Sequence, residues 1–135
     1  MCGIVGYVGK KSARTLLLEG LKRLEYRGYD SSGISVILNG GIVTAKEKGK
    51  IAALEKMIPA SMDAATIGIA HTRWATHGAP SAVNAHPHHD NKNTISLVHN
   101  GIIENYRELR KHLSAHGVVF KSETDTEVLP HLIAH

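Results

Sequence analysis

The chain has one cysteine, one tryptophan and one phenylalanine among 135 residues, and aromatic residues make up only 4% of it. A single cysteine forms no internal disulfide, so Cys2 is an inert buried thiol, a ligand or a reactive group. Long apolar runs are missing too. The longest spans residues 51–54, against the roughly 20 apolar residues a membrane-spanning helix needs. The opening MCGIVGYVGKK puts its lysines after its apolar positions and has no extended apolar core, the reverse of a secretory leader. A cytoplasmic location is therefore expected. Basic residues exceed acidic ones, 16 to 12, but they are scattered, mixed with acids and accompanied by few aromatic residues, Tyr26 and Tyr29 among them, so solvated faces explain them better than a nucleic-acid surface. With 42% hydrophobic residues and no repeat, linker or low-complexity stretch, the chain is expected to form one globular domain with its own core.

Periodicity gives a coarse order of elements. Residues 3–9 read as a strand and Ser12 to about Tyr26 as a helix, with Ala13, Leu16, Leu17, Leu21 and Leu24 on its apolar side, Ser12 as N-cap and Gly28 as its end. Residues 33–38 and 42–46 read as a hairpin around Asn39-Gly40-Gly41, residues whose backbones reach positive φ most easily. A helix over 50–58 stops at Pro59, and a strand over 66–72 leads into a long polar loop, residues 73–93, that holds Pro80, Pro87, His77, His86, His88 and His89. Beyond it the pattern predicts a strand at 94–99, a helix carrying Ile103, Tyr106, Leu109 and Leu113 that Gly117 closes, a short strand at 118–120, and a last helix from near Thr124. That last helix begins with a capping-box pattern, Thr124 to Glu127, and Pro130 either kinks it or moves its start toward the proline.

Four places carry chemistry. A small residue after the initiator methionine permits its removal, and Cys2 would then be a nucleophile with its own base: an α-amine near ~7.7–8.0 beside a thiol near ~8.5. The alternative at Cys2 is a structural core thiol. In HTRWATHG, Arg73 presents a planar guanidinium suited to two-pronged binding of a carboxylate, or else a surface ion pair. In HNG, Asn100 offers a side-chain amide and Gly101 an unobstructed backbone N–H, two neutral donors for a developing oxyanion, or else a strand-to-helix turn. In SETDTE, Asp125 can pair with an ammonium group, cap a helix, or do both. Together a thiol, an oxyanion pair, a carboxylate binder and an ammonium binder describe a site for an α-amino acid with a side-chain acyl group, such as glutamine.

The segments MCGIVGY, RLEYRGYDSSG, GIAHTRWATHGAPSAVNAHPH, VHNGIIENY and SETDTEV, in that order, resemble the class II (type 2) glutamine amidotransferase domain of the glutamine–fructose-6-phosphate aminotransferases, also called glucosamine-6-phosphate synthases. The resemblance implies an α+β N-terminal-nucleophile (Ntn) hydrolase fold, a four-layer αββα sandwich of two antiparallel sheets. It implies that Cys2 attacks the glutamine amide, Asn100 and Gly101 hold the oxyanion, and Arg73 and Asp125 bind the substrate's carboxylate and ammonium. Trp74, Thr76 and His77 would line the glutamine pocket and its covering loop, and Arg27 would support the N-terminus. Ammonia would then pass to fructose 6-phosphate to form glucosamine 6-phosphate, in a homodimer and with no tightly bound cofactor. The resemblance covers essentially residues 1–135 and implies that the rest of the glutaminase domain and the sugar isomerase domains are absent. The sandwich would then be incomplete, and glutamine hydrolysis is the half-reaction expected.

Other readings compete. The run His86-Pro87-His88-His89-Asp90 invites a zinc, copper or nickel site, but adjacent histidines on a proline-broken loop match no standard ligand spacing, and no metal is expected there. An amidotransferase domain serving another acceptor, and a non-catalytic interaction module, also fit the sequence.

Overall fold

The computed structural model describes residues 2–135. The fate of Met1, and with it the expected release of the Cys2 amine, lies outside the described residues.

Strand β1 (Gly3–Val8), β2 (Ser31–Leu38), β3 (Gly41–Lys48) and β4 (Ile67–Arg73) form an antiparallel sheet in the order β1-β4-β2-β3. Successive side chains of a strand point to opposite faces, and that alternation divides the sheet's chemistry. Ile34 and Val36 of β2 and Ala70 of β4 join one apolar cluster, while Ser35 and His71 are buried on the other side. The β2–β3 turn has two central residues, Asn39 at φ 52° and Gly40 at φ 77°, because Gly41 already pairs with Leu38.

Helix α1 (Ala13–Leu24) covers the apolar face, with Ala13, Leu17 and Leu21 one turn apart and fully buried. Each leucine so buried contributes about 1.5–3 kcal/mol. Ser12 stands at the N-cap position, but its side chain makes no capping bond; the Ala13 N–H donates instead to the Ala65 carbonyl at 2.8 Å. After a 3-10 turn over Glu25–Arg27, Gly28 ends the run at φ 79°, as expected. Helix α2 (Ile51–Met57) packs Ile51 and Leu54 into the same cluster.

A polar second layer lies across the other face. Strands β5 (His88–His89) and β6 (Ser96–Leu97) form a two-stranded ribbon whose turn is gathered by Asp90: its carboxylate accepts from the Thr94 and Ile95 N–H groups at 2.7 Å and from the Thr94 hydroxyl at 2.8 Å. Ribbon and sheet are joined through side chains, His89 Nε2 to Thr44 Oγ1 at 2.8 Å and Ser96 Oγ to Ser35 Oγ at 3.0 Å. Gly33 permits the closest approach. A Cβ there would lie 1.9 Å from the His86 carbonyl oxygen, so only glycine lets β2 pass beneath residues 86 and 87. Helix α4 (Val128–Ala134) rests on the ribbon, and α3 (Tyr106–Ala115) rests on α4. The order helices, sheet, ribbon, helices is the αββα layering, with the second sheet represented by two short strands.

Several elements differ from expectation. The strand expected at 94–99 shrinks to residues 96–97, because the Thr94 and Ile95 N–H groups are taken by Asp90 and the His99 N–H by His86 Nδ1. Residues 118–120 form no strand: the Asn91 side chain bonds both the N–H and the carbonyl of Val119, replacing a neighbouring backbone. Helix α3 starts at Tyr106 rather than at Ile103, whose N–H donates to Asp125. The capping box does not form. Glu127 turns its carboxylate to the Lys121 and Ser122 N–H groups, and α4 starts at Val128, which leaves Pro130 in the first turn where no helical N–H partner is lost. Among the described residues, no helix is long and apolar enough to cross a membrane.

Candidate active site

Cys2 precedes β1 and Arg73 ends β4, and because Gly3 pairs with Thr72 the antiparallel register brings both to one end of the sheet. Two other connections close over that end: the turn at 98–105 after β6, which carries Asn100 and Gly101, and residues 117–127 before α4, which carry Asp125. Between them lies a cleft of about 270 Å³, lined by Cys2, Arg73, Trp74, Thr76, Gly101 and Asp125 together with His86, His99 and Thr124. A larger cavity of about 460 Å³ lies between β3 and the ribbon, around Lys46 and Glu127, but it holds no nucleophile beside a donor pair.

The half-buried Cys2 Sγ lies 3.2 Å from the Trp74 N–H, which points at it. Asn100 is fixed from both ends. Its Oδ1 accepts from His71 Nε2 at 2.7 Å, and its Nδ2 donates to the Cys2 carbonyl at 3.3 Å. Since an amide oxygen only accepts, the neutral His71 carries its proton on Nε2. Burial pushes His71 down to about 4, which keeps the ring neutral and that tautomer available. Gly101 sits at φ 150°, and a Cβ there would press to 3.0 Å on the His99 ring, so the backbone and its surroundings both favour glycine at this position.

Arg73 is only 3% exposed, and its guanidinium donates to the carbonyls of His77, Gly78 and Ala79, with no carboxylate paired to it among the described residues. It thus shapes the loop after β4 and leaves a buried cation facing the cleft without a counter-ion. Asp125 is also 3% exposed; its Oδ2 accepts the Ile103 N–H at 2.6 Å. His77 does not line the cleft. It stands behind Asp125, Nδ1 3.8 Å from Oδ1, with its ring edge on Tyr106. Arg27, in the turn after α1, is not among the cleft residues either, though it is engaged with a neighbour.

The sequence reading missed three supports. Asp30 accepts the Ala75 N–H and receives the Ser31 hydroxyl, so it fixes the entry to the 74–79 loop. His71 orients Asn100, and its place on β4, two residues before Arg73, was the available signal. His86 stacks on His71 with centroids 4.2 Å apart and rings 12° from parallel, and burial holds it down to about 2. The metal reading of residues 86–90 fails on geometry: His88 Nε2 bonds Thr124, His89 Nε2 bonds Thr44, and both Asp90 oxygens serve the ribbon turn.

Residues 71–135 match the glutamine amidotransferase domain family. The chain is 60% identical over 133 residues, 98% of its length, to glutamine–fructose-6-phosphate aminotransferase (isomerizing) of Clostridium perfringens, and it spans 22% of that protein. With the same enzyme of Bacteroides thetaiotaomicron the identity is 56% over 100% of the chain, again 22% of the relative. The match to the glutamine amidotransferase domain family is thus direct over residues 71–135, and the similarity to these aminotransferases continues through the rest of the chain.

Solved amidotransferases share the fold as well. Glutamine phosphoribosylpyrophosphate amidotransferase from B. subtilis, complexed with ADP and GMP, superposes with a TM-score of 0.81 at 28% identity, covering 100% of this chain and 29% of its own. The structure of the allosteric regulatory enzyme of purine biosynthesis gives the same TM-score at 28% identity, with 30% of that chain covered. The α+β N-terminal-nucleophile fold is therefore that of this amidotransferase domain. The family match takes in Arg73, Trp74, Thr76, His77, Asn100, Gly101 and Asp125, and the alignment with the Bacteroides relative also takes in Cys2 and Arg27.

Proposed function

We propose that this chain carries out the glutaminase half-reaction of a glutamine–fructose-6-phosphate aminotransferase. The observation that carries the reading is one cleft in which Cys2 Sγ, the Gly101 backbone, an unneutralised Arg73 and the Asp125 carboxylate face the same space. Arg73 receives the α-carboxylate of glutamine and Asp125 its α-ammonium, leaving the side-chain amide directed at Cys2. With Met1 removed, the Cys2 α-amine takes the thiol proton directly or through water, and the sulfur adds to the amide carbon. Gly101 N–H and the second N–H of Asn100 Nδ2 receive the developing oxyanion; His71, by holding Oδ1, keeps that amide turned the right way. The proton passes to the leaving nitrogen, the C–N bond breaks, and ammonia departs from a γ-glutamyl thioester. Water then adds to the thioester, releases glutamate and returns the thiol.

Trp74 and Thr76 cover the cleft, His77 braces Asp125 from behind, and Arg27 supports the turn beside the N-terminus. In the longer protein, which would be a cytoplasmic homodimer, the ammonia is delivered to fructose 6-phosphate to give glucosamine 6-phosphate. The 55–60% identity to those aminotransferases, against 28% to the phosphoribosylpyrophosphate enzyme, favours the sugar phosphate as acceptor.

An electrophilic diazoketone analogue of glutamine tests the reading. Intact mass and peptide mapping are expected to show Met1 absent and one adduct, on Cys2, blocked by excess glutamine. Cys2→Ala is expected to lose glutaminase activity by about 10³-fold or more, the scale seen when a nucleophile is removed. An adduct elsewhere, or glutaminase that survives in Cys2→Ala, would reject the mechanism.

A further inference from the structure

Away from the cleft, the last turn of α3 and the end of α4 bring three exposed imidazoles together. His112 and His116 are one turn apart on α3, and His135 follows Ala134 at the end of α4. One ring nitrogen from each lies within 4.8 Å of the other two. The ring centroids are 4.5 Å apart for His112 and His116, 5.1 Å for His116 and His135, and 6.0 Å for His112 and His135.

We propose that His112, His116 and His135 form a zinc site that clips α3 to the end of α4. The second observation behind it concerns the tautomer of His116. Its Nδ1 lies 2.8 Å from the His112 carbonyl oxygen, and because a carbonyl only accepts, Nδ1 carries the proton. Nε2 is thereby left as the ring nitrogen available to a metal, the arrangement by which metal-bound histidines anchor their second ring nitrogen on a backbone carbonyl. His135 is anchored too, its backbone N–H donating to the His131 carbonyl at 3.0 Å.

Three neutral nitrogen donors with no carboxylate among them suit zinc, nickel or copper and not calcium or magnesium. Zinc–nitrogen bonds of about 2.0–2.1 Å in a tetrahedron put ligand atoms roughly 3.4 Å apart, so the three nitrogens close in by at most about 1.4 Å. Rotation of exposed side chains supplies that much movement. Three protein ligands leave a fourth position for water, and a cavity of about 440 Å³, lined by His116, Asn91 and Ala134 among others, adjoins the cluster. The clip would close the chain between α3 and α4, residues 117–127, which contain Asp125. Zinc bound there is thus expected to reduce the local opening of one wall of the cleft.

Titration of zinc chloride into the metal-free full chain, followed by calorimetry, tests this. The expected result is one zinc per chain, with affinity that falls as acid protonates the imidazoles. His112→Ala and His116→Ala, both at exposed helical positions, are each expected to weaken binding at least about tenfold, since even loss of an outer partner costs that much at a metal site. Cys2→Ala is expected to leave the affinity unchanged. Hydrogen exchange of residues 117–135 is expected to slow with zinc in the parent chain and not in His116→Ala. Affinity that is indifferent to both histidine substitutions, or lost in Cys2→Ala, overturns the proposal, as does non-saturating uptake of several ions, which would mean an adventitious ion only.

Discussion

Residues 3–73 bury Leu17, Leu21, Ile34, Ile51, Leu54 and Met62 completely, whereas after Arg73 the buried apolar side chains among the described residues are Ala85, Pro87, Leu113, Val128 and Pro130. The later region fills its interior with Asn84, His86, His88, Asp90, Thr124, Asp125, Glu127 and His131. The first region is held by apolar burial, which is non-directional and tolerates small adjustments. The second is held by hydrogen bonds that must each be satisfied, so its geometry is more exacting and its stability more dependent on protonation. The cleft lies at their seam, with Cys2 and Arg73 supplied from the end of the sheet and Gly101 and Asp125 from the polar region, where Asn100 reaches across to the Cys2 carbonyl. Nucleophile and cation are thereby mounted on a rigid base, and the groups that close around a substrate are mounted on loops.

The severest way to break this arrangement is at the seam. Gly33→Ala puts a Cβ 1.9 Å from the His86 carbonyl oxygen, a backbone atom that cannot swing aside, so residues 86 and 87 must lift from β2. A loss of about 3 kcal/mol or more is expected, at the upper end of overpacking costs. Hydrogen exchange is expected to rise across residues 84–99 while α1 remains protected. Uniform loss of protection in both regions would show instead that the two fold as a single unit.

Acid separates the regions with a smaller effect. His71 is held at about 4 and His86 at about 2, in each case chiefly by burial, against the ordinary 6.5. Between those values the unfolded chain binds more protons than the folded one, so stability is complete above pH 6.5 and declines as the pH falls through the window below it. Each of these two rings is expected to withdraw about 2 kcal/mol between pH 6.5 and roughly 5. His88, also held well below its ordinary value by burial, adds to the decline. Urea midpoints at pH 7.5 and 5 read the effect. Leu21→Ala, a cavity in the apolar region costing about 2–5 kcal/mol, is expected to lower the midpoint by the same decrement at both pH values. A midpoint insensitive to pH in the parent chain would refute a neutral histidine interior.

The same contrast explains what could be read from the sequence. In the apolar region periodicity and turn chemistry suffice: α1, α2, the four strands and the Asn39-Gly40 turn follow from spacings within a few residues. The cleft residues were legible as short polar motifs, and six of them do line one space. What escaped depends on long-range side-chain bonds. Val119 is paired by Asn91, Glu127 turns from the expected capping position to Lys121 and Ser122, and His71 and His86 stack across the layers. No local window encodes those partners. His77 read as pocket lining, and its motif gave no sign that it would stand behind Asp125 instead.

The mildest perturbation sharpens the comparison most. Asn39 lies at the tip of the β2–β3 hairpin with φ 52°, a left-handed conformation that asparagine tolerates and alanine resists. Asn39→Ala is expected to cost about 1 kcal/mol and Asn39→Gly almost nothing, because glycine reaches positive φ without a steric penalty. Neither substitution touches the cleft or the polar layer, so the rate at which a glutamine-directed electrophile labels Cys2 is expected to stay as in the parent chain while the urea midpoint of Asn39→Ala falls. If labelling slowed in step with that loss of stability, the polar region would be drawing its order from the global stability of the sheet. Unchanged labelling means that local bonds, above all those of His71 to Asn100 and Asp125 to Ile103, hold the reactive geometry once the sheet is folded at all.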